Sequence, residues 1–154
     1  MSIIENRLKE LGIELPPVGE PRFSYIPCNR TGNLLYLSGQ DCRINGTLMF
    51  EGKLGSDLSI EQGQQAARQT IINCLAVMNS YLKDLDRVVK IVKMLAFVNS
   101  APGFSDQPYV INGASNLLIE VFGENGKHAR SAISSNELPF NTPVEIELIV
   151  EIRD

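Results

Sequence analysis

The chain contains no tryptophan and one histidine, His128. A zinc site built from paired imidazoles is thereby excluded, and a Ser-His-Asp triad would have only His128 to draw on. Three cysteines, Cys28, Cys42 and Cys74, are odd in number and form no Cys-x-x-Cys pair, which favours free thiols over a disulfide framework. Gly-rich phosphate loops of either common pattern are missing. No apolar run approaches the roughly 18 to 20 residues that span a bilayer. The opening Met-Ser-Ile-Ile-Glu-Asn-Arg-Leu lacks the apolar stretch and cleavage site of a signal peptide, so a cytoplasmic protein is expected, with no membrane partner. Basic residues number 14 against 18 acidic ones and do not cluster. Binding to a nucleic acid rests on such clusters, so a net charge of −4 without one argues against that partner.

What remains is an ordinary globular composition, 154 residues with 44% hydrophobic and 21% charged, enough for one domain with a real core. Residues 3–11 carry Ile4, Leu8 and Leu11 at helical spacing before Gly12, and a proline-rich stretch from Leu15 to Pro21 follows. Residues 1–22 are therefore expected to form an arm on a single domain of residues 23–154. Phe23–Pro27 reads as a short edge strand, Arg30–Asn33 as a turn and Leu34–Ser38 as a strand. Asn45-Gly46 is the strongest short hairpin signal. Ser59 with Gln62 makes a capping box for a helix to about Leu82, striped by Ile60, Ala67, Ile71, Cys74, Met78 and Leu82. Val88–Val98 is a β-branched run that reads as a central strand covered on both faces. A second long helix from about Ser105 tolerates Pro108 in its first turn and ends near Phe122. Ala129–Ser135 and Val144–Ile152 complete the strands, the last with strict apolar alternation. The order predicts an α+β fold, one mixed sheet with two helices on one face, the bare face covered by self-association.

Within the last third, Arg130 stands at the mouth of a short strand and Glu145 lies 15 residues on. A guanidinium offers a rigid fork that suits a carboxylate. Its partner is either a structural acid or a ligand. Glu145 is either a catalytic carboxylate or a solvated glutamate on the outer face of the strand.

Several spaced elements resemble the Rid family of reactive-intermediate deaminases, also called YjgF or UK114-type proteins. They are Ser38-Gly39-Gln40 after an apolar strand, Val110-Ile111-Asn112 on the second helix, Ala129-Arg130-Ser131, Leu138-Pro139, and Val144-Glu145-Ile146-Glu147. The resemblance runs from about Tyr25 to the C-terminus. It implies a chorismate-mutase-like fold, a homotrimer, and three clefts between subunits. Active members hydrolyse enamines and imines derived from amino acids to 2-keto acids and ammonia, with no metal or organic cofactor. On that basis the chain would be a 2-iminobutanoate/2-iminopropanoate-type deaminase, with Arg130 and Glu145 as its catalytic pair. Arg130 would hold the substrate carboxylate and Glu145 would position water. Tyr25, Ser38 and Asn112 would line the cleft, and Gly39, Ser131 and Ala132 would add main-chain contacts. Ala132 replaces a cysteine found in many deaminases, and His128 replaces a usual proline. His128 then reads as a cleft wall or a pH-sensitive group. These departures keep a second reading open, a divergent module that binds small carboxylates or a protein without turnover. An endoribonuclease, a label some relatives carry, ranks below both on charge.

Overall fold

The structure, a computed structural model, describes residues 2–154. A mixed sheet runs β1 (Cys28–Thr31), β2 (Leu34–Leu37), β7 (Val144–Ile152), β5 (Val88–Asn99), β6 (Ala129–Ser135) in spatial order. Only β5 and β6 are parallel, because α3 (Gln107–Phe122) makes the crossover between them. β3 (Arg43–Ile44) and β4 (Thr47–Leu48) form a separate small hairpin. Its turn places Asn45 and Gly46 at φ 52° and 82°, the left-handed pair that a two-residue loop demands.

The long helix α2 (Ile60–Leu82) starts at the expected capping box: Ser59 accepts from the Gln62 amide, and the Gln62 side chain accepts from that of Ser59. α2 and α3 bury Ala67, Ile71, Cys74, Met78, Leu82, Ala114 and Leu118 against β5 and β7. From β7 the core receives Val144, Ile146, Leu148, Val150 and Ile152, each at most 1% exposed. The alternation read in the sequence is therefore a strand with one fully buried face. Residues on the other face of β5, Leu95 and Phe97 among them, are half-buried rather than covered. The three cysteines are buried and free, and burial pushes the Cys74 thiol up to about 12, leaving it inert.

One expectation shifts. The first strand is not Phe23–Pro27 but Cys28–Thr31, because Gly32 (φ 55°) and Asn33 alone make the hairpin loop between Thr31 and Leu34. The helical spacing read over residues 3–11 is observed as α1 (Ile3–Glu10), which docks on the domain through buried Leu8. Ser2 caps the Glu5 amide, and Asp86 of a distant loop accepts from the amides of Ile3 and Ile4, both at 2.9 Å. Arg7 donates in return to the Glu120 carbonyl in the last turn of α3.

Desolvation pushes the Asp86 carboxyl up, but the Ile4 and Ile3 amides, the Ser2 side chain and the Arg153 charge together outweigh it and hold its pKa below the ordinary value. A lowered acid stabilises above its unfolded pKa, and that contribution is lost as pH falls through the folded value. Asp86→Ala is expected to cost about 1 kcal/mol, in the range of a lost cap, and to speed proteolysis in residues 1–22 at neutral pH. Acid should reproduce the effect in the native chain. Equal cleavage rates in both proteins would remove Asp86 as the anchor.

Candidate active site

Strand register determines which side chains can meet. Arg130 of β6 pairs with Met94 of β5, while Glu145 of β7 pairs with Phe97. The ladder is regular between those points, and positions three apart on a strand point to opposite faces. Arg130 therefore projects on the helix-covered face at the β6 edge, and Glu145 on the open face. Within one chain the two do not meet.

The surroundings of Arg130 are built from α3 and the turn after it. Pro108, Asn112 and Ser115 stand at i, i+4 and i+7, which puts them on one face of the helix. Arg130 Nη1 donates to Ser115 Oγ at 3.0 Å and Nη2 donates to the Pro108 carbonyl at 3.1 Å. Ser115 Oγ lies 2.9 Å from His128 Nε2, and His128 Nδ1 is 2.7 Å from the Gly126 carbonyl. A carbonyl can only accept, so Nδ1 carries the proton and Nε2 of the neutral ring accepts from the serine. Burial lowers the His128 pKa, the Gly126 bond opposes this, and the Arg130 charge lowers it further; the net lowering favours a neutral ring. Asn112 is half-buried and makes no side-chain hydrogen bond among the described residues. Ala132, two residues after Arg130, returns to the same face and packs against the core, while Ser131 faces the open side.

Glu145 belongs to a second region. A cavity of about 740 Å³ is bordered by Tyr25, Gly39, Asp41, Asn73, Phe140 and Glu145, with residues 16–22 as one wall. The chain beyond β2 returns alongside β7, Gln40 bridging Ile146 through paired backbone bonds of 2.9 and 3.0 Å. That brings Gly39 against Glu145: a Cβ at position 39 would stand 3.0 Å from the Glu145 carboxyl carbon. Burial raises the Glu145 pKa, and the nearby carboxylates Asp41 and Glu147 raise it further. Asp41 is itself paired with Arg43 at 3.1 Å, and the Arg43 guanidinium lies over the Phe140 ring, 5.0 Å from its centre. Phe23 also stacks with Phe140, the ring centres 6.5 Å apart. Ser38 donates its hydroxyl to the Ile26 carbonyl at 2.6 Å, so it ties the strand end to the preceding loop.

Of the residues singled out in the sequence, the cavity gathers Tyr25, Ser38, Gly39 and Glu145. The α3–β6 edge holds Asn112, His128, Arg130, Ser131 and Ala132 apart from it. Ser115, Asp41 and Phe140 escaped the sequence reading. Ser115 shows no pattern beyond its seven-residue offset from Pro108, and Asp41 and Phe140 are brought in by loops. No group of three or more His, Cys, Asp or Glu side chains among the described residues could hold a metal ion. No helix is long and apolar enough to cross a membrane among those residues.

Comparison with known proteins gives these arrangements a context. Residues 5–152 match the family described as "YjgF/chorismate mutase-like, putative endoribonuclease". Protein TCP17 of Trypanosoma cruzi is 41% identical over 148 residues, covering 96% of this chain and 92% of that protein. The crystal structure of Atu1372 from Agrobacterium tumefaciens, a protein of unknown function, is 44% identical with a TM-score of 0.89, covering 97% of this chain and 92% of its own. A 2-iminobutanoate/2-iminopropanoate deaminase of Dermatophagoides farinae is 28% identical over 142 residues, covering 92% of this chain and 95% of that protein. With nearly its whole length matched, α1 included, the chain belongs to the YjgF/Rid family and has its chorismate-mutase-like α+β fold.

Proposed function

We propose that the chain assembles as a homotrimer and hydrolyses small imines and enamines derived from amino acids to 2-keto acids and ammonia. The observation that carries this is the opposed placement of Arg130 and Glu145 across the sheet. A guanidinium on edge strand β6 and a carboxylate over a cavity on the far side suit a head-to-tail ring. There the β6 edge of one copy closes the Glu145 cavity of the next. Arg130 of one subunit holds the substrate carboxylate in its fork. Glu145 of the neighbour takes a proton from water as the oxygen bonds to the imine carbon. The proton passes to nitrogen to give a carbinolamine; its remaining hydroxyl proton then moves to nitrogen as the C–N bond breaks, so ammonia leaves and a ketone carbonyl remains beside the carboxylate. The likeness to a protein named as a deaminase supports this reading.

An assay in which an amino-acid oxidase generates the imino acid tests it, with keto-acid release expected to accelerate. No acceleration across several imino acids, or a clean monomer in sedimentation, would sink it. Binding of a 2-keto acid without turnover would favour the binding-module reading, whose motive is Ala132 in place of a reactive thiol. The ribonuclease label fits poorly, because Asp41, Glu145 and Glu147 present negative charge where a phosphodiester would lie.

Acid-base behaviour gives a sharper check. Glu145 must be ionised to accept a proton, so turnover falls as pH drops through its raised pKa. The acid limb of kcat/KM is expected above the ordinary glutamate range. Asp41→Asn removes one neighbouring charge and should move that limb to lower pH. A limb unmoved by this change would remove Glu145 as the titrating base.

A further inference from the structure

We infer that Ser115 and His128 are positioning residues that hold the Arg130 guanidinium in one plane and one register for anion binding. The inference rests on Arg130 being the carboxylate clamp of the proposed reaction. Its argument is a count of donors and acceptors. Gly126 offers only a carbonyl, which fixes the His128 proton on Nδ1 and leaves an acceptor at Nε2. Ser115 has a single hydroxyl hydrogen, and Nε2 at 2.9 Å takes it over the weak acceptor Met94 Sδ at 4.0 Å. The lone pairs of Ser115 Oγ are then turned to Arg130 Nη1, which donates to them. Nη2 is held independently by the Pro108 carbonyl, two helical turns before Ser115.

Two anchors on two different nitrogens determine the orientation of a planar group. Of the five guanidinium N–H donors, these anchors use one on Nη1 and one on Nη2. Nε–H and one hydrogen on each Nη remain for a ligand. The chain of bonds ends in backbone on both sides, at Pro108 in the first turn of α3 and at Gly126 beyond its last. Gly126 cannot shift easily, since a Cβ there would stand 2.1 Å from the Leu118 carbonyl oxygen. Ser115 is only 8% exposed, so water cannot readily replace it as the acceptor. An aliphatic residue at 128 would leave the serine hydrogen free to point elsewhere and the guanidinium free to turn.

Calorimetric titration with 2-oxobutanoate tests this on the full chain. Ser115→Ala and His128→Phe are each expected to weaken binding about tenfold, the scale of one lost hydrogen bond. The double variant should be no weaker than either single one, because both remove the same constraint. Ser115→Thr, which keeps the hydroxyl, should restore affinity. Additive losses, or unchanged affinity in Ser115→Ala, would overturn the inference. Arg130→Ala serves as the control for the underlying reading. If it loses binding while the Ser115 and His128 variants keep theirs, only the positioning role fails. A ligand-free measurement adds an independent arm: nitrogen-detected spectra of the Arg130 side chain should show slow guanidinium rotation in the native chain and fast rotation in Ser115→Ala. Equal rotation rates would also overturn the inference.

Discussion

Arg130→Ala is expected to lower kcat/KM for imino-acid hydrolysis by about 10²- to 10⁴-fold while leaving the fold intact. The magnitude follows from losing a charge-assisted fork, each bond of which contributes about 1.5 to 3 kcal/mol when one partner is ionised. The structural cost is small because the side chain lies at the sheet edge and makes no ion pair among the described residues. Its removal leaves Ser115 with His128 as a partner, so no hydroxyl is stranded. Arg130→Lys keeps the charge but not the planar fork, so it should recover only part of the loss. Steady-state kinetics on both variants, with sedimentation to confirm assembly, make the measurement. An unchanged kcat/KM in Arg130→Ala would remove the clamp and, with it, the proposed reaction.

Gly113→Ala should be strongly destabilising. Glycine in a helix interior is ordinarily about 1 kcal/mol worse than alanine, so the naive expectation is stabilisation. Here the sign reverses. A Cβ at Gly113 would stand 2.3 Å from the Gln64 carbonyl oxygen and 2.8 Å from its Cα, both in the backbone of α2. Neither atom can turn aside, so the helices must separate. On the far side of the same crossing, a Cβ at Gly63 would meet Leu54 at 2.7 Å and Val110 at 3.0 Å. Gln64 also ties the crossing by donating its side-chain amide to the Tyr109 carbonyl. Forced overpacking of this kind costs about 1 to 3 kcal/mol or more, and it displaces Asn112 and Ser115 on the same helix. Urea unfolding should show a lower midpoint. A midpoint at or above that of the native chain would mean that the α2–α3 crossing is looser than described.

These two residues also mark where the sequence was legible and where it was not. Arg130 could be found because it sits inside a spaced signature and because a lone guanidinium at a strand start calls for a partner. Gly113 could not, since a single helical glycine looks like a weak helix former until its neighbour across the crossing is known. The regular elements were readable wherever periodicity was long: α2, α3, β5 and β7 came out within a residue or two of their observed limits. β1 was misplaced because Cys28-Asn29-Arg30-Thr31 has no apolar alternation to reveal it. Its strand character comes from backbone pairing with β2, and the Gly32-Asn33 dipeptide, a two-residue hairpin signal, was the available clue. Of the candidate site, the identities of Arg130 and Glu145 were legible. Their separation onto opposite faces was not, because it depends on two strand registers that meet at β5.

The proline-rich stretch that borders the Glu145 cavity has a consequence in entropy. Pro16, Pro17 and Pro21 fix φ at three of the positions along this wall, so the chain has little freedom to lose when it is laid in place. Its ends are tied, by α1 docked on Asp86 on one side and by Ser38 bonded to Ile26 and Pro27 on the other. A wall of this kind moves as a stiff strap about its two attachments rather than as a floppy loop. The cavity therefore keeps its outline before any ligand arrives, and binding need not spend free energy on ordering that side of it.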